Sequence, residues 1–424
     1  MSKFMALIVG TSVAITVTFQ VAAQTSGETA HIAKAKGIHD RVIKLDTHND
    51  IDPNHFTPAC NYTMRLTTQV NLPKMIEGDM DVSFMIVYVG QGPLTPAGYE
   101  NAYKQAIAKF DAIHRLTENI APEKFGLALM AADVVKLHKK GVRIAVIGVE
   151  NGYPMGLDIK RVKEFYDRGG RYMSLAHNGN SQLSDSNTGE TKGYLYNNGL
   201  SPLGREVVAE MNRLGIMIDV SHPSKGSNLE VMKLSKAPVI ASHSSARALA
   251  NVSRNMDDEQ LLALKKNGGV IQMVALAGYV RVDPAERTAA IAKAREESGN
   301  AGARGGGANE TPPCPVEDPR KVPTEYEKRL AEIDVKMPRA NVKDFVTQID
   351  YVVKLIGIDH VGISSDFDGG GGVDGWNSAA EAFNVTLELV RRGYTEQQIG
   401  KLWSGNLLRV WGEVERIAKE LRKK

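Results

Sequence analysis

Cysteine is nearly absent: Cys60 and Cys314 are the only two in 424 residues. Two thiols cannot build a disulfide scaffold or a thiolate zinc site. An oxidising compartment would permit them to pair, but both stand in loop-like sequence and nothing there fixes their separation. An excess of charge is also lacking. The formal net charge is +3, the charged residues are mixed along the chain, and no basic block or interleaved aromatic platform occurs. These absences argue against a nucleic-acid partner and favour a small molecule or peptide.

The N-terminus carries a targeting pattern. Lys3, a mostly apolar run from Phe4 to Phe19 and the small residues Val21-Ala22-Ala23 follow the order of a secretory signal peptide. Thr11, Ser12, Thr16, Thr18 and Gln20 dilute a run already short for a membrane span. Residues 1–23 are therefore expected to be removed, leaving a secreted or periplasmic protein without a stable membrane anchor. No cysteine stands near the cleavage site and the stretch Ala418 to Lys424 is charged, so neither lipidation nor a GPI anchor is expected.

Residues 24–424 are long for one ordinary domain but suit a single elaborated α/β barrel. Short apolar, β-branched runs alternate with longer amphipathic stretches, the pattern of repeated βα units. Strands are expected at Val42–His48, Val82–Val89, Arg143–Glu150, Tyr172–His177, Ile216–His222, Val239–His243, Gly269–Leu276 and His360–Asp366. Eight is the count of a (β/α)₈ TIM-like barrel. Helical periodicity fills the gaps at Tyr99–Leu116, Leu203–Leu214, Asp257–Lys266 and Asn341–Ile356. In the last of these, Val342, Phe345, Val346, Ile349, Val352, Val353 and Ile356 form one stripe, the core face of an outer helix. From about Arg281 to Pro338 the chain turns rich in Ala, Gly, Arg, Glu and Pro. This segment reads as a loop insertion at the C-terminal rim of the barrel, either a mobile surface loop or a partial lid or dimer contact.

The expected strands end in reactive side chains. His48-Asn49-Asp50, Glu150, His177, His222, His243 and Asp366 close six of the eight. That is the end where barrel enzymes place their sites. A lone histidine at a strand end is usually a structural group, as His360 is expected to be; His55, His114 and His138 read as loop or helix-surface residues. The coincidence of position carries the argument. Alternate residues of an extended chain point the same way, so His48 and Asp50 can grip one divalent ion. His222 and His243, closing neighbouring strands, can grip a second, and Glu150 can give one oxygen to each. Imidazole and carboxylate suit zinc, with manganese and cobalt as chemical alternatives. Two ions about 3.5–4 Å apart would hold a bridging water as hydroxide near neutral pH, an arrangement built for hydrolysis.

Several stretches resemble the membrane (renal) dipeptidase family. They are Asp46-Thr47-His48-Asn49-Asp50, Gly199-Leu200-Ser201-Pro202-Leu203-Gly204, Ile218-Asp219-Val220-Ser221-His222, Pro238 to Ala246, Ser365-Asp366-Phe367-Asp368-Gly369 and Gly405-Asn406-Leu407-Leu408-Arg409-Val410. The resemblance spans essentially the whole chain after the signal peptide. It implies two zinc ions, with His48 and Asp50 on one, His222 and His243 on the other, and Glu150 bridging. It also implies that His177 contacts the scissile carbonyl oxygen, that Arg254 binds the substrate's terminal carboxylate, and that Asp366 is the acid/base; the nearby Asp368 and Asp359 read instead as structural caps. A homodimer is implied as well.

The activity so implied is hydrolysis of dipeptides through a metal-bridging hydroxide, tolerating a D-residue at the C-terminal position. Asn151-Gly152-Tyr153 and Val274-Ala275-Leu276 depart from animal members, on the substrate side of the site. The alternative enzyme is an amidohydrolase acting on N-acyl amino acids or cyclic amides, although the fourth strand offers no lysine for a carbamate bridge. A binding protein that kept the fold would have lost ligands, and every expected ligand is present.

Overall fold

In the computed structural model, residues 27–298, 314–318 and 320–423 are described. The expected signal peptide and residues 299–313 of the expected insertion lie outside them. Eight parallel strands form the central sheet in chain order. They are β1 (Leu45–Asp50), β2 (Val82–Tyr88), β3 (Arg143–Glu150), β4 (Gly170–Ser174), β5 (Met217–Asp219), β6 (Ile240–Ser244), β7 (Val270–Val274) and β8 (Val361–Ser364). A short extra strand, Phe125–Leu127, pairs with β3 from outside this path.

The sheet curls until its first and last strands meet. Asp50 N donates to Phe367 O at 2.9 Å, and Asp46 Oδ1 accepts from Ser365 N at 2.9 Å. The result is the expected TIM-like barrel, nearly closed, with helices between successive strands. Because the strands are covered on both faces, they read as continuous apolar runs. Val82, Phe84 and Ile86 pack with Ile144, Val146, Tyr172 and Ile240 in a cluster that also takes Leu407, Val410, Trp411 and Val414 from the C-terminal helix Asn406–Leu421. The larger core lies between strands and outer helices. The helix Val342–Ile356 buries the expected stripe except Val353, which is only partly covered. Asn341 and Asp344 close its first turn as a capping box.

Strand ends differ from expectation where side chains interrupt the ladder. Asp219 Oδ1 accepts from Ser221 N and Ser242 N, which terminates β5 three residues before His222. β4 stops at Ser174 and β8 at Ser364, so His177, His222 and Asp366 lie on turns beyond their strands. His222 and Asp366 have φ of 78° and 61°, in the left-handed region. Such backbone is costly for a side chain and collects at functional sites.

The expected loop insertion contains two helices, Ala285–Glu297 and Glu325–Lys336, packed on one another. Alanine, glutamate and arginine are strong helix formers, which outweighs the glycines and prolines between them. Arg287 is buried at their junction, bound to Asp283, Asp334 and the carbonyl of Met337. Cys60 and Cys314 form a disulfide that ties this insertion to the short hairpin after β1.

Candidate active site

His48, Asp50, Glu150, His222, His243 and Asp366 converge at the C-terminal mouth of the barrel, and His177 borders them. Three overlapping groups have ligand atoms within 4.8 Å of one another: His48, Glu150 and His243; Glu150, His177 and His222; His48, Asp50 and Asp366. Glu150 is the hub. Its Oε1 stands 2.9 Å from His222 Nε2 and 3.3 Å from His243 Nε2, while Oε2 stands 3.4 Å from His48 Nε2.

The outer faces of the imidazoles fix their tautomers. His48 Nδ1 lies 2.9 Å from the Tyr172 hydroxyl, which gives its own proton to Thr47 O at 3.1 Å. His243 Nδ1 lies 2.7 Å from Ser242 Oγ, which donates to Asp219 Oδ2 at 2.6 Å. His222 Nδ1 faces Asn178 Oδ1 at 3.3 Å. Each Nδ1 therefore carries a proton; the Nε2 of His222 and of His243 turns a lone pair inward, while the Nε2 of His48 faces Glu150 Oε2. His222 Nε2 and His243 Nε2 are 3.0 Å apart. Two lone pairs and a carboxylate at such distances repel unless a cation lies between them.

Protonation follows the same logic. Burial, followed by the charge of Arg254 or His48, holds His222 and His243 well below the usual histidine range, so both are neutral. Burial also opposes charge on His48, but Glu150, Asp366 and Asp50 together lift it to about 9. Burial raises Asp366 to about 8, against the pull of His48. Glu150 is held well below the carboxylate range because His48, His177, His222 and His243 outweigh its burial. His48 Nε2 and Asp50 Oδ1 are buried without a hydrogen-bond partner. An acidic, lone-pair-rich cluster with unsatisfied buried atoms fits divalent cations.

A family model described as membrane dipeptidase, peptidase family M19, matches residues 32–424. The chain belongs to this family. Among curated members it is 28% identical over 405 residues to the dipeptidase aclJ of Aspergillus oryzae, covering 92% of this chain and 82% of that protein. Among solved structures it is similar to a probable dipeptidase, PvdM, from Pseudomonas aeruginosa. There identity is 32%, the TM-score is 0.76, and 92% of this chain and 99% of that one are covered. A metallopeptidase from Rhodobacter sphaeroides, liganded with a phosphinate mimic of L-Ala-D-Ala, shares the fold at 22% identity and TM-score 0.67, with 88% and 99% covered. The protein is thus a dipeptidase of a metallopeptidase family.

The remaining expected residues of this M19 dipeptidase surround the cluster. Arg254 is buried; Nη1 donates to Ser244 Oγ at 2.8 Å and Nη2 to His243 O at 2.7 Å, leaving Nε without a partner. His177 lies 3.7 Å from Glu150 Oε1 through Nε2, and its Nδ1 is 3.4 Å from the Tyr88 hydroxyl. Asp368 caps a loop instead of facing the cluster, accepting from Gln69 N at 2.8 Å and Val70 N at 3.3 Å. Asp359 pairs with Lys401 at the surface.

Sequence reasoning passed over Tyr172, Asp219 and Gly369. Tyr172 holds His48 from behind and Asp219 holds His243 through Ser242, and only the Asp219 and Ser242 positions in the quoted motifs hinted at it. A Cβ on Gly369 would stand 2.5 Å from Asp366 Oδ1 and 2.6 Å from Asp50 Oδ2, so only glycine admits both carboxylates.

Proposed function

We propose that the protein is a two-zinc dipeptidase in which Glu150 is shared between the ions. The observation that carries this reading is the division of its carboxylate, one oxygen toward His222 and His243 and the other toward His48. His48 and Asp50 would hold one ion, His222 and His243 the other. When bound, such a pair supplies a water acid enough to act as hydroxide near neutral pH and a Lewis-acid face for the carbonyl.

The chain's own residues do the rest. Arg254 binds the C-terminal carboxylate through the N–H groups left free by Ser244 and His243. Because that anchor reads a carboxylate and not a following side chain, a D-configured C-terminal residue is tolerated. His177, neutral because it is buried, donates Nε2–H to the carbonyl oxygen as charge develops there. Asp366, beside His48 and Asp50, takes a proton and returns it to the departing amine. Secretion to the periplasm or beyond, and homodimerisation, belong to the same reading.

Metal-replete protein should cleave L-L and L-D dipeptides, leave N-acyl amino acids and cyclic amides intact, and contain two zinc ions per chain. Cleavage of N-acyl amino acids in preference to dipeptides would move the protein to the amidohydrolase reading. A single metal with full activity would remove the shared role of Glu150.

A further inference from the structure

Lys109 lies on the helix Pro96–His114, which follows β2. Its ammonium is 5.5 Å from the centroid of the Tyr88 ring. Tyr88 lies beside Glu150 in strand register and packs on His177, ring centroids 4.6 Å apart. Lys109 is only partly buried. Among the described residues no hydrogen bond or ion pair holds its ammonium. The other lysines drawn into the fold are paired: Lys44 with Asp79 and Asp81, Lys74 with Glu317, Lys225 with Asp257 and Glu259.

An unpaired ammonium at the edge of an active site needs a reason. Burial works against its charge, which the carboxylates of Asp50, Glu150 and Asp52 support in that order. Asp50 and Glu150 are the groups that would serve cations. Asp52 accepts from Asn54 N at 2.9 Å and caps the short turn Pro53–His55. Cations held by Asp50 and Glu150 would take up the charge of those two carboxylates and leave Asp52 as the one of the three still supporting the ammonium, so an anion arriving there would meet an under-compensated Lys109.

Position says which part of a substrate could supply it. Arg254 follows β6 and Lys109 follows β2, on opposite sides of an eight-strand ring with the Glu150 cluster between them. A dipeptide whose C-terminal carboxylate meets Arg254 and whose scissile bond lies over the cluster extends its N-terminal residue toward the other side.

We propose that Lys109 is a specificity-determining residue that receives an anionic side chain, aspartate or glutamate, on the N-terminal residue of the dipeptide. The proposal rests on the dipeptidase reading above. Lys109 would form a charge-assisted contact at the open edge of the mouth, with the Tyr88 ring beneath the ammonium restraining it.

The test uses the metal-replete full chain and three substrates, Glu-Ala, Gln-Ala and Lys-Ala, with kcat/KM and zinc content measured together. Wild type should prefer Glu-Ala to Gln-Ala by about tenfold, the scale of a charge-assisted hydrogen bond. Lys109→Gln should bring that ratio close to one, Lys109→Arg should preserve it, and Lys109→Glu should shift preference to Lys-Ala. Equal loss on all three substrates in Lys109→Gln, or loss of zinc, would assign the ammonium to balancing the cluster and overturn the proposal. So would a wild-type ratio near one. If zinc-loaded wild type cleaves no dipeptide at all, the dipeptidase reading fails first and the subsite falls with it.

Discussion

The hydroxyl of Tyr172 binds His48 Nδ1 at 2.9 Å, across 124 residues of sequence, from the floor of the barrel core. Its single proton goes to Thr47 O, so it can only accept from the imidazole. Tyr172→Phe keeps the ring that packs on Phe84 but leaves His48 free to rotate or change tautomer. Zinc affinity should fall about 10–100-fold, the usual cost of losing a group that orients a metal ligand. Competition titration with a chelating dye measures it. Unchanged affinity would mean that barrel packing alone orients His48.

Such a contact also marks how far the sequence could be read. The eight strands and the reactive residues near their ends were legible because both faces of each strand are buried and the chemistry repeats at one end. Tyr172 was not, since nothing local says that the hydroxyl of a core tyrosine will meet an imidazole from another strand. The turns carrying His177, His222 and Asp366 look like strand in the sequence for a related reason. Their ladders are ended by side chains such as Asp219, whose partners are distant in sequence. In the segment between β7 and β8, two helices held by the buried Arg287 were hidden by glycine- and proline-rich composition. The Cys60–Cys314 pairing, left open by the sequence, depends on the same long-range packing.

Asp366→Asn probes proton transfer. The replacement is nearly isosteric and spares the expected ligands, but an amide cannot shuttle a proton. Turnover should drop by about 10²–10⁴-fold with zinc content and KM little changed. Steady-state kinetics with metal analysis distinguish this from a ligand role, for which zinc would be lost.

Arg254→Ala removes the proposed anchor. Free-acid dipeptides should lose about 10–100-fold in kcat/KM, as expected for a charge-assisted contact of roughly 1.5–3 kcal/mol. C-terminally amidated dipeptides should lose much less. Equal losses on both would show that Arg254 acts by bracing Ser244 and His243 O.

His39 should make stability depend on pH without involving the cluster. Its Nε2 donates to Gly78 O at 3.0 Å and its Nδ1 meets Thr386 Oγ1 at 2.8 Å, which in turn accepts from Trp403 Nε1 at 2.9 Å. Burial depresses its pKa below the ordinary 6.5, although the carbonyl of Gly78 resists. The unfolded chain thus takes up this proton first. The stabilisation is complete above about 6.5 and is lost as pH falls from there toward the folded value. Denaturant midpoints of wild type and His39→Gln between pH 7.5 and 5 should converge on acidification, whereas parallel curves would place the acid sensitivity elsewhere.

The disulfide draws the chain into a ring with two tails. Cys60 follows β1 and Cys314 precedes β8, so β2 to β7 lie within the covalent loop, and the two strands that must meet to close the barrel lie on the tails. Even in an unfolded oxidised chain, those tails leave from one shared point. The effective concentration of β1 for β8 is then set by the tethers from Asp50 to Cys60 and from Cys314 to Val361, together much shorter than the sequence separation of 254 between the cysteines. The closing strand pair, most distant along the chain, becomes a local encounter once the cysteines are joined.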